Sequence, residues 1–197
     1  MTIWLNIIIA ITFFVSVLTP NILSADVICN GNGFVKGELK KLTYQASANT
    51  LHATADVYTM IAFVEEDKIS EASKVGTSAL MKLGEAKKSL EKARTLPDSE
   101  FRDMNDWLRK LNYNNYAEKF RISPNYTIWQ EVARASIQGG RGWIEQCLTL
   151  NTNLYSKAGE FLRLFPGKPK PGEVWNFMAF WQRELDRGRF LSIIFSK

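Results

Sequence analysis

His52, the only histidine of the chain, stands four residues before Asp56 in a stretch with helical periodicity. A carboxylate one helical turn from an imidazole can orient that ring, and this arrangement is used in general-base catalysis. No motif ties a serine or cysteine nucleophile to the pair, and a single histidine does not supply the ligands of the usual zinc site. Two interpretations stay open: a catalytic pair, and a polar pair that fixes register at the edge of a helical bundle.

Carboxylates cluster at residues 65–67 and again between residues 98 and 106. A hydrolase acting on cell-wall or other extracellular glycan would need two carboxylates across a cleft, or one carboxyl group with a raised pKa. Both clusters fall at expected helix ends or turns, and the helix dipole favours acidic residues in a first turn. Glycan hydrolysis is therefore kept as an alternative, and we lean towards a protein without catalytic activity.

Three glycines surround Arg141 in the sequence Gly139-Gly140-Arg141-Gly142. If all three stayed in a helix they would cost about 3 kcal/mol relative to alanine, which predicts a break, a kink or a close backbone approach. Backbone N–H groups at a break could hold an anion with Arg141 as its partner. The motif matches no phosphate-binding pattern, so a kink beside Cys147 is the favoured interpretation.

The ligand sets of the cofactors common in helical bundles are absent from the sequence. Cys147 begins no C-x-x-C-H haem-attachment motif, and His52 completes no Glu-x-x-His pair of a di-iron site. We therefore expect no haem, no metal ion and no other cofactor.

The C-terminal region carries the residues most typical of a binding surface. Four aromatic residues lie within the seven positions 175–181, and arginines follow them. Tryptophan and arginine are over-represented in interface cores. Because Trp175 and Phe180 fall off the main apolar face, part of this aromatic surface should stay exposed. The predicted binding residues are Trp175, Phe180, Trp181, Arg183 and Arg187. In the other interpretation, the helix and the apolar tail after it (FLSIIF) fill the end of the bundle.

The first 25 residues carry no charge and combine a long apolar run with small residues at Ser24 and Ala25. This layout is typical of a secretory signal peptide cleaved after Ala25. We expect residues 1–25 to be removed and residues 26–197 to form a single periplasmic or secreted domain. A retained N-terminal membrane anchor is the alternative, because the apolar run just reaches the lower length limit for spanning a bilayer.

The expected export and the net charge limit the oxidation state of the cysteines and the kinds of partner. The two cysteines, Cys29 and Cys147, should form one disulfide in an oxidising compartment. The net charge of +5 suits contact with anionic surfaces, but many cations have acidic partners at helical spacing, which favours a solvated surface. We expect a protein or cell-envelope partner and no nucleic acid, with peripheral contact to an anionic membrane surface as an open option.

From Phe34 onwards the apolar periodicity is helical, with no strand alternation. Expected helices cover residues 35–65, 69–95, a short stretch up to 111, a long pattern over 124–165 and, after a proline-rich connector, residues 173–188. Small residues recur along the second helix and permit close helix packing. The predicted fold is all-α: an antiparallel four-helix bundle with a short extra helix, a proline-connected C-terminal helix and one disulfide.

These patterns predict an exported helical protein that binds its partner through an aromatic and arginine-rich C-terminal surface. Two alternatives remain. One is the glycan hydrolase, which would use the carboxylates near His52 or those between residues 98 and 106. The other is a carrier that holds an apolar ligand between helices, which requires an internal cavity of roughly a few hundred Å³.

Overall fold

The computed structural model of the protein describes residues 28–111 and 138–195. In these ranges the chain forms five α-helices: α1 Gly37–Glu65, α2 Ile69–Arg94, α3 Arg102–Lys110, α4 Gly139–Leu162 and α5 Pro171–Ile193. Short 3-10 segments lie at Asn32–Phe34, Asp98–Phe101 and Phe165–Gly167. No strand occurs in either range. The expected leader (residues 1–25) and the predicted helix start near residue 124 lie outside the described residues.

Helices α1, α2, α4 and α5 pack antiparallel in the pairs α1–α2, α2–α4 and α4–α5. The hydroxyl group of Tyr58 on α1 donates to Gln182 Oε1 on α5 at 3.4 Å, which links the first and last helices. The predicted antiparallel four-helix bundle with a short extra helix and a proline-connected C-terminal helix is therefore confirmed.

The small-residue seam of α2 packs as its sequence predicts. Gly76 leaves so little room that a Cβ atom there would lie 2.7 Å from Met60 Sδ. Small side chains bring neighbouring helix axes close together. The seam is buried along its whole length, at Ala72, Gly76, Ala79, Leu83, Ala86, Leu90 and Ala93.

The buried face of α1 is partly polar. Although the three–four spacing of the apolar residues on this helix runs through Asn49, Asp56 and Phe63, these three residues are only partly buried. The bundle instead buries a row of hydroxyl residues: Thr43, Ser47, Thr50 and Thr54. The three threonine hydroxyls donate to backbone carbonyls four residues earlier, at 2.8–2.9 Å. Burial of these threonines therefore leaves no hydroxyl donor unsatisfied.

The glycine cluster marks the start of α4. Gly139 has φ +78°, a left-handed conformation that favours glycine. The Gly140 N–H donates to Asn105 Oδ1 at 2.7 Å, and a Cβ atom at Gly140 would lie 2.8 Å from the Phe101 ring. The glycines thus begin α4. They also allow α3 and the 3-10 segment before it to approach the start of α4 closely.

The predicted end of the last helix near residue 188 is wrong, because α5 continues to Ile193. Two indole N–H groups donate to carbonyls at the end of this helix: Trp143 Nε1 to Leu191 O at 2.9 Å, and Trp107 Nε1 to Ile194 O at 2.8 Å. Carbonyls in the last helical turn have no partner within the helix, so these indoles stabilise the extra turn.

The apolar residues of the predicted tail are buried at the end of the bundle. Leu191, Ile194 and Phe195 are at most 1% exposed. The Phe195 ring meets Trp143 edge-on, with ring centroids 5.2 Å apart. Of the two sequence interpretations, the tail therefore follows the one in which it fills the bundle.

The predicted disulfide is confirmed: Cys29 on the N-terminal segment (residues 28–35) bonds to Cys147 in α4, across 118 sequence positions. The backbone N–H of Cys29 donates to Gly188 O at 3.3 Å, and that of Asn30 donates to Ser192 Oγ at 3.1 Å. The N-terminal segment is thus fixed to the C-terminal half of α5, with the side chain of Ile28 against Gly188.

Substituting Gly188 tests this close approach. A Cβ atom there would collide with Ile28 and lie 3.0 Å from Leu150 Cδ1. Overpacking of this kind costs about 1–3 kcal/mol, which exceeds the gain in helix propensity of about 0.5–1 kcal/mol. We expect Gly188→Ala to lower the free energy of unfolding in urea by about 1–2 kcal/mol.

Gly159→Ala is the matched control, because this glycine of α4 has open space around the position of a Cβ atom. It should raise the free energy of unfolding by about 0.5–1 kcal/mol through helix propensity alone. Equal stabilisation by both substitutions would contradict the packing of Ile28 on Gly188.

Candidate functional site

The outward side of α5 presents Trp175, Ala179 and Arg183, which follow one another at intervals of four residues. Residues at this spacing share one face of a helix. All three are exposed, and Trp175 keeps 69% of its surface accessible. We call these three residues the α5 face.

Phe180 flanks the α5 face towards α4 and is half-buried. Two cations lie over its ring: the Lys157 Nζ atom at 5.5 Å and the Arg183 Cζ atom at 5.0 Å from the centroid. Cations at this distance are attracted to the ring quadrupole. The pair therefore concentrates positive charge around an aromatic group at the α4–α5 boundary.

Trp181, the third predicted aromatic binding residue, is fully buried. Its ring packs 5.6 Å from Phe177, which stacks on Phe161 of α4 at 4.3 Å. Six residues of α-helix amount to one full turn plus about 240°, so Trp175 and Trp181 point in very different directions. Trp181 is thus a core residue and does not belong to the α5 face.

The two predicted arginines also separate. The Arg183 side chain is 63% exposed, whereas that of Arg187 is 12% exposed. Arg187 donates to Gln146 Oε1 at 2.5 Å and lies 3.6 Å from the buried carboxylate of Glu184. Asn153 Nδ2 also donates to Glu184, at 3.1 Å. Arg187 therefore belongs to a polar network that joins α4 to α5, and only Arg183 faces outward.

The structure does not bring His52 and Asp56 together as a hydrogen-bonded pair. His52 is exposed. Asp56 instead accepts a hydrogen bond from Lys82 Nζ on α2 at 2.6 Å. This contact ties α1 to α2, the kind of register role that the sequence left open for Asp56.

The carboxylates between residues 98 and 106 take structural partners. Asp98 pairs with Arg141, and Glu100 Oε2 accepts from the backbone N–H of Leu39 at 3.4 Å, at the start of α1. Asp103 is hydrogen-bonded to Lys36 at 2.5 Å, and this ammonium group lowers the pKa of the Asp103 carboxyl group.

The carboxylates of residues 65–67 lie at the α1–α2 turn. Glu66 pairs with Lys68 at 2.6 Å, and Asp67 pairs with Lys168 at 2.8 Å. Partial burial raises the pKa of Glu65. The ion pairs hold the turn and connect it to the α4–α5 connector.

Arg141 directs its guanidinium group to protein atoms. Its nitrogens donate to the backbone carbonyls of Arg94 and Leu96 and to Asp98 Oδ1, the last two at 2.7 and 2.8 Å. The carbonyls at the end of α2 have no partner within that helix. In this arrangement Arg141 caps the C-terminus of α2, and the predicted anion site is left with no supporting contact.

Within residues 28–111 and 138–195, no group of three His, Cys, Asp or Glu side chains is placed to hold a metal ion. In the same ranges, no helix has the length and apolarity needed to cross a membrane.

No protein-family model, curated protein or solved structure matches this chain.

Sequence reasoning missed two parts of this region. Lys157 stands over Phe180 from another helix, and no local pattern indicates such a pairing. The contacts of Gln146 and Asn153 with α5 are equally non-local. The spacing of Glu184 and Arg187 did give a signal, since residues three apart on a helix are neighbours.

Alanine substitutions should separate the two tryptophans. Trp181→Ala empties a buried site and should lower the free energy of unfolding by about 3–5 kcal/mol. Trp175→Ala removes an exposed ring and should change it by less than about 0.5 kcal/mol. Urea denaturation followed by circular dichroism measures both. A loss at Trp175 as large as that at Trp181 would contradict the assignment of Trp175 to the surface.

Proposed function

We propose that this protein is an exported, non-catalytic helical binding protein that engages a protein or cell-envelope partner through the α5 face. The exposure of Trp175 is the observation that carries the proposal. Tryptophan is enriched among the residues that dominate binding energy, and arginine is enriched with it. On the α5 face, Trp175 is accompanied by the exposed Arg183.

The rigidity of α5 supports a binding role. The inward side of the helix is anchored by Phe177 and Trp181 in the core, and by the network of Glu184 with Arg187. A surface held in place before binding loses little conformational entropy on association. The exposed residues of α5 are therefore presented on a preorganised helix.

Two further observations support the proposal, the first against a catalytic role and the second for export. Most carboxylates of the two acidic clusters take structural partners, and Asp56 is hydrogen-bonded to Lys82 and not to His52. The Cys29–Cys147 disulfide supports export, because such bonds persist mainly in oxidising compartments.

Site-specific photocrosslinking tests the proposal. A photoreactive amino acid at Ala179, in the centre of the α5 face, should yield a discrete adduct with a host envelope component. The same probe at Glu85, an exposed position on α2, is the control. Adding Trp175→Ala should abolish the adduct at position 179, while Tyr44→Ala, which removes an exposed aromatic ring from α1, should leave it unchanged.

Equal adduct yields from positions 179 and 85, or an adduct at 179 that survives Trp175→Ala, would contradict the proposal. The urea transition of each variant shows that the loss of an adduct does not arise from unfolding.

A further inference from the structure

We infer that the α5 face binds the surface of an anionic phospholipid bilayer; this inference rests on the proposed binding role of that face. Three features of the molecule support it: the distribution of charge, the partners of each nearby carboxylate and the isolation of Trp175.

Positive charge is concentrated where α4 ends and α5 begins. Residues 157–183 contain five cations and two anions, a net +3 out of the +5 of the whole chain. The cations are Lys157, Arg163, Lys168, Lys170 and Arg183, and the anions are Glu160 and Glu173. Trp175 lies within this segment.

The carboxylates near the α5 face are already engaged. Glu160 pairs with Lys157 at 3.1 Å, and Glu173 accepts from the backbone N–H of Lys170 at 2.7 Å. On the flanks, Asp186 pairs with Arg189 at 2.9 Å and Asp67 with Lys168 at 2.8 Å. Each of these carboxylates therefore already has a partner within the protein.

Two exposed cations of this segment, Arg163 and Lys170, form no ion pair with the described residues, and a third, Arg183, forms only a long one. Arg183 comes no nearer than 3.9 Å to Glu184, whose carboxylate also faces Arg187 and Asn153. These charges are available to an external anion.

The position of Trp175 suits a lipid headgroup region. Lys170 precedes it at the start of α5, and Arg183 follows about 12 Å further along the helix. Tryptophan rings favour the level of lipid headgroups, and exposed lysine and arginine are attracted to anionic lipids. The two kinds of residue would act on the same bilayer surface.

The surroundings of Trp175 favour lipid over a protein partner. It is the only exposed large apolar side chain in the described part of α5. One turn away, Gly172 and Ala179 are small, and Met178 is partly buried against the core. A protein hot spot is usually surrounded by further contacts that exclude water. A single exposed ring within a segment of net charge +3 lacks that surround and complements an anionic surface.

Vesicle co-sedimentation of the purified, oxidised protein tests the inference. Vesicles of phosphatidylglycerol and phosphatidylcholine should bind the protein at low salt, and vesicles of phosphatidylcholine alone should not. Lys170→Glu and Arg183→Glu should each weaken binding about fivefold or more, the effect of one cation near an anionic surface. Trp175→Ala should weaken it to a comparable degree.

Lys40 and Tyr44 supply the matched controls, because they place an exposed cation and an exposed aromatic ring one turn apart on α1. Lys40→Glu and Tyr44→Ala should each leave vesicle binding within about twofold of the unsubstituted protein. Urea midpoints close to that of the unsubstituted protein confirm that each variant is folded.

Equal binding to neutral vesicles, or equal losses in the α1 controls, would overturn the inference. Absence of vesicle binding together with a Trp175-dependent protein adduct from position 179 would overturn the lipid assignment and leave the proposed function standing. Absence of both the vesicle binding and the adduct would contradict the lipid inference and the proposed function alike.

Discussion

The disulfide between Cys29 and Cys147 is the constraint on which the rest of this structure depends. It joins residues 118 positions apart and holds the N-terminal segment against α4 and α5. The hydrogen bonds from Cys29 to Gly188 and from Asn30 to Ser192 follow from that placement. Without the cross-link, this segment would depend on those hydrogen bonds and on local packing, such as that of Ile28 against Gly188 and of Phe34 on Trp107.

Helix α5 is held in place along its whole length. Its C-terminal half is fixed by the N-terminal segment and by the indoles of Trp107 and Trp143, and its N-terminal half by the stacked rings of Phe161 and Phe177. A helix held along its length cannot rotate to bury Trp175. Exposure of that ring is therefore a fixed property of the fold, as a preorganised binding surface requires.

Much of the fold could be predicted from the sequence, because the decisive signals are local or depend on composition. The alanine seam of α2 predicted close packing, and two cysteines with an apolar leader predicted the bridge. The buried threonines of α1 escaped prediction because each hydroxyl is satisfied by its own helix. The full length of α5 escaped it because the last carbonyls are satisfied by tryptophans distant in sequence. At the candidate site, the residue types were predicted, but their partition into core (Trp181, Arg187) and surface (Trp175, Arg183) depends on contacts with α4.

The central role of the disulfide is tested most directly by the free energy of unfolding of the Cys29→Ser/Cys147→Ser variant, measured in urea beside the oxidised protein. Closing a loop of this length should contribute about 4–5 kcal/mol. We predict a loss of that size, with hydrogen-exchange protection falling first in the C-terminal half of α5. A loss below about 1 kcal/mol, with protection in α5 unchanged, would contradict that role.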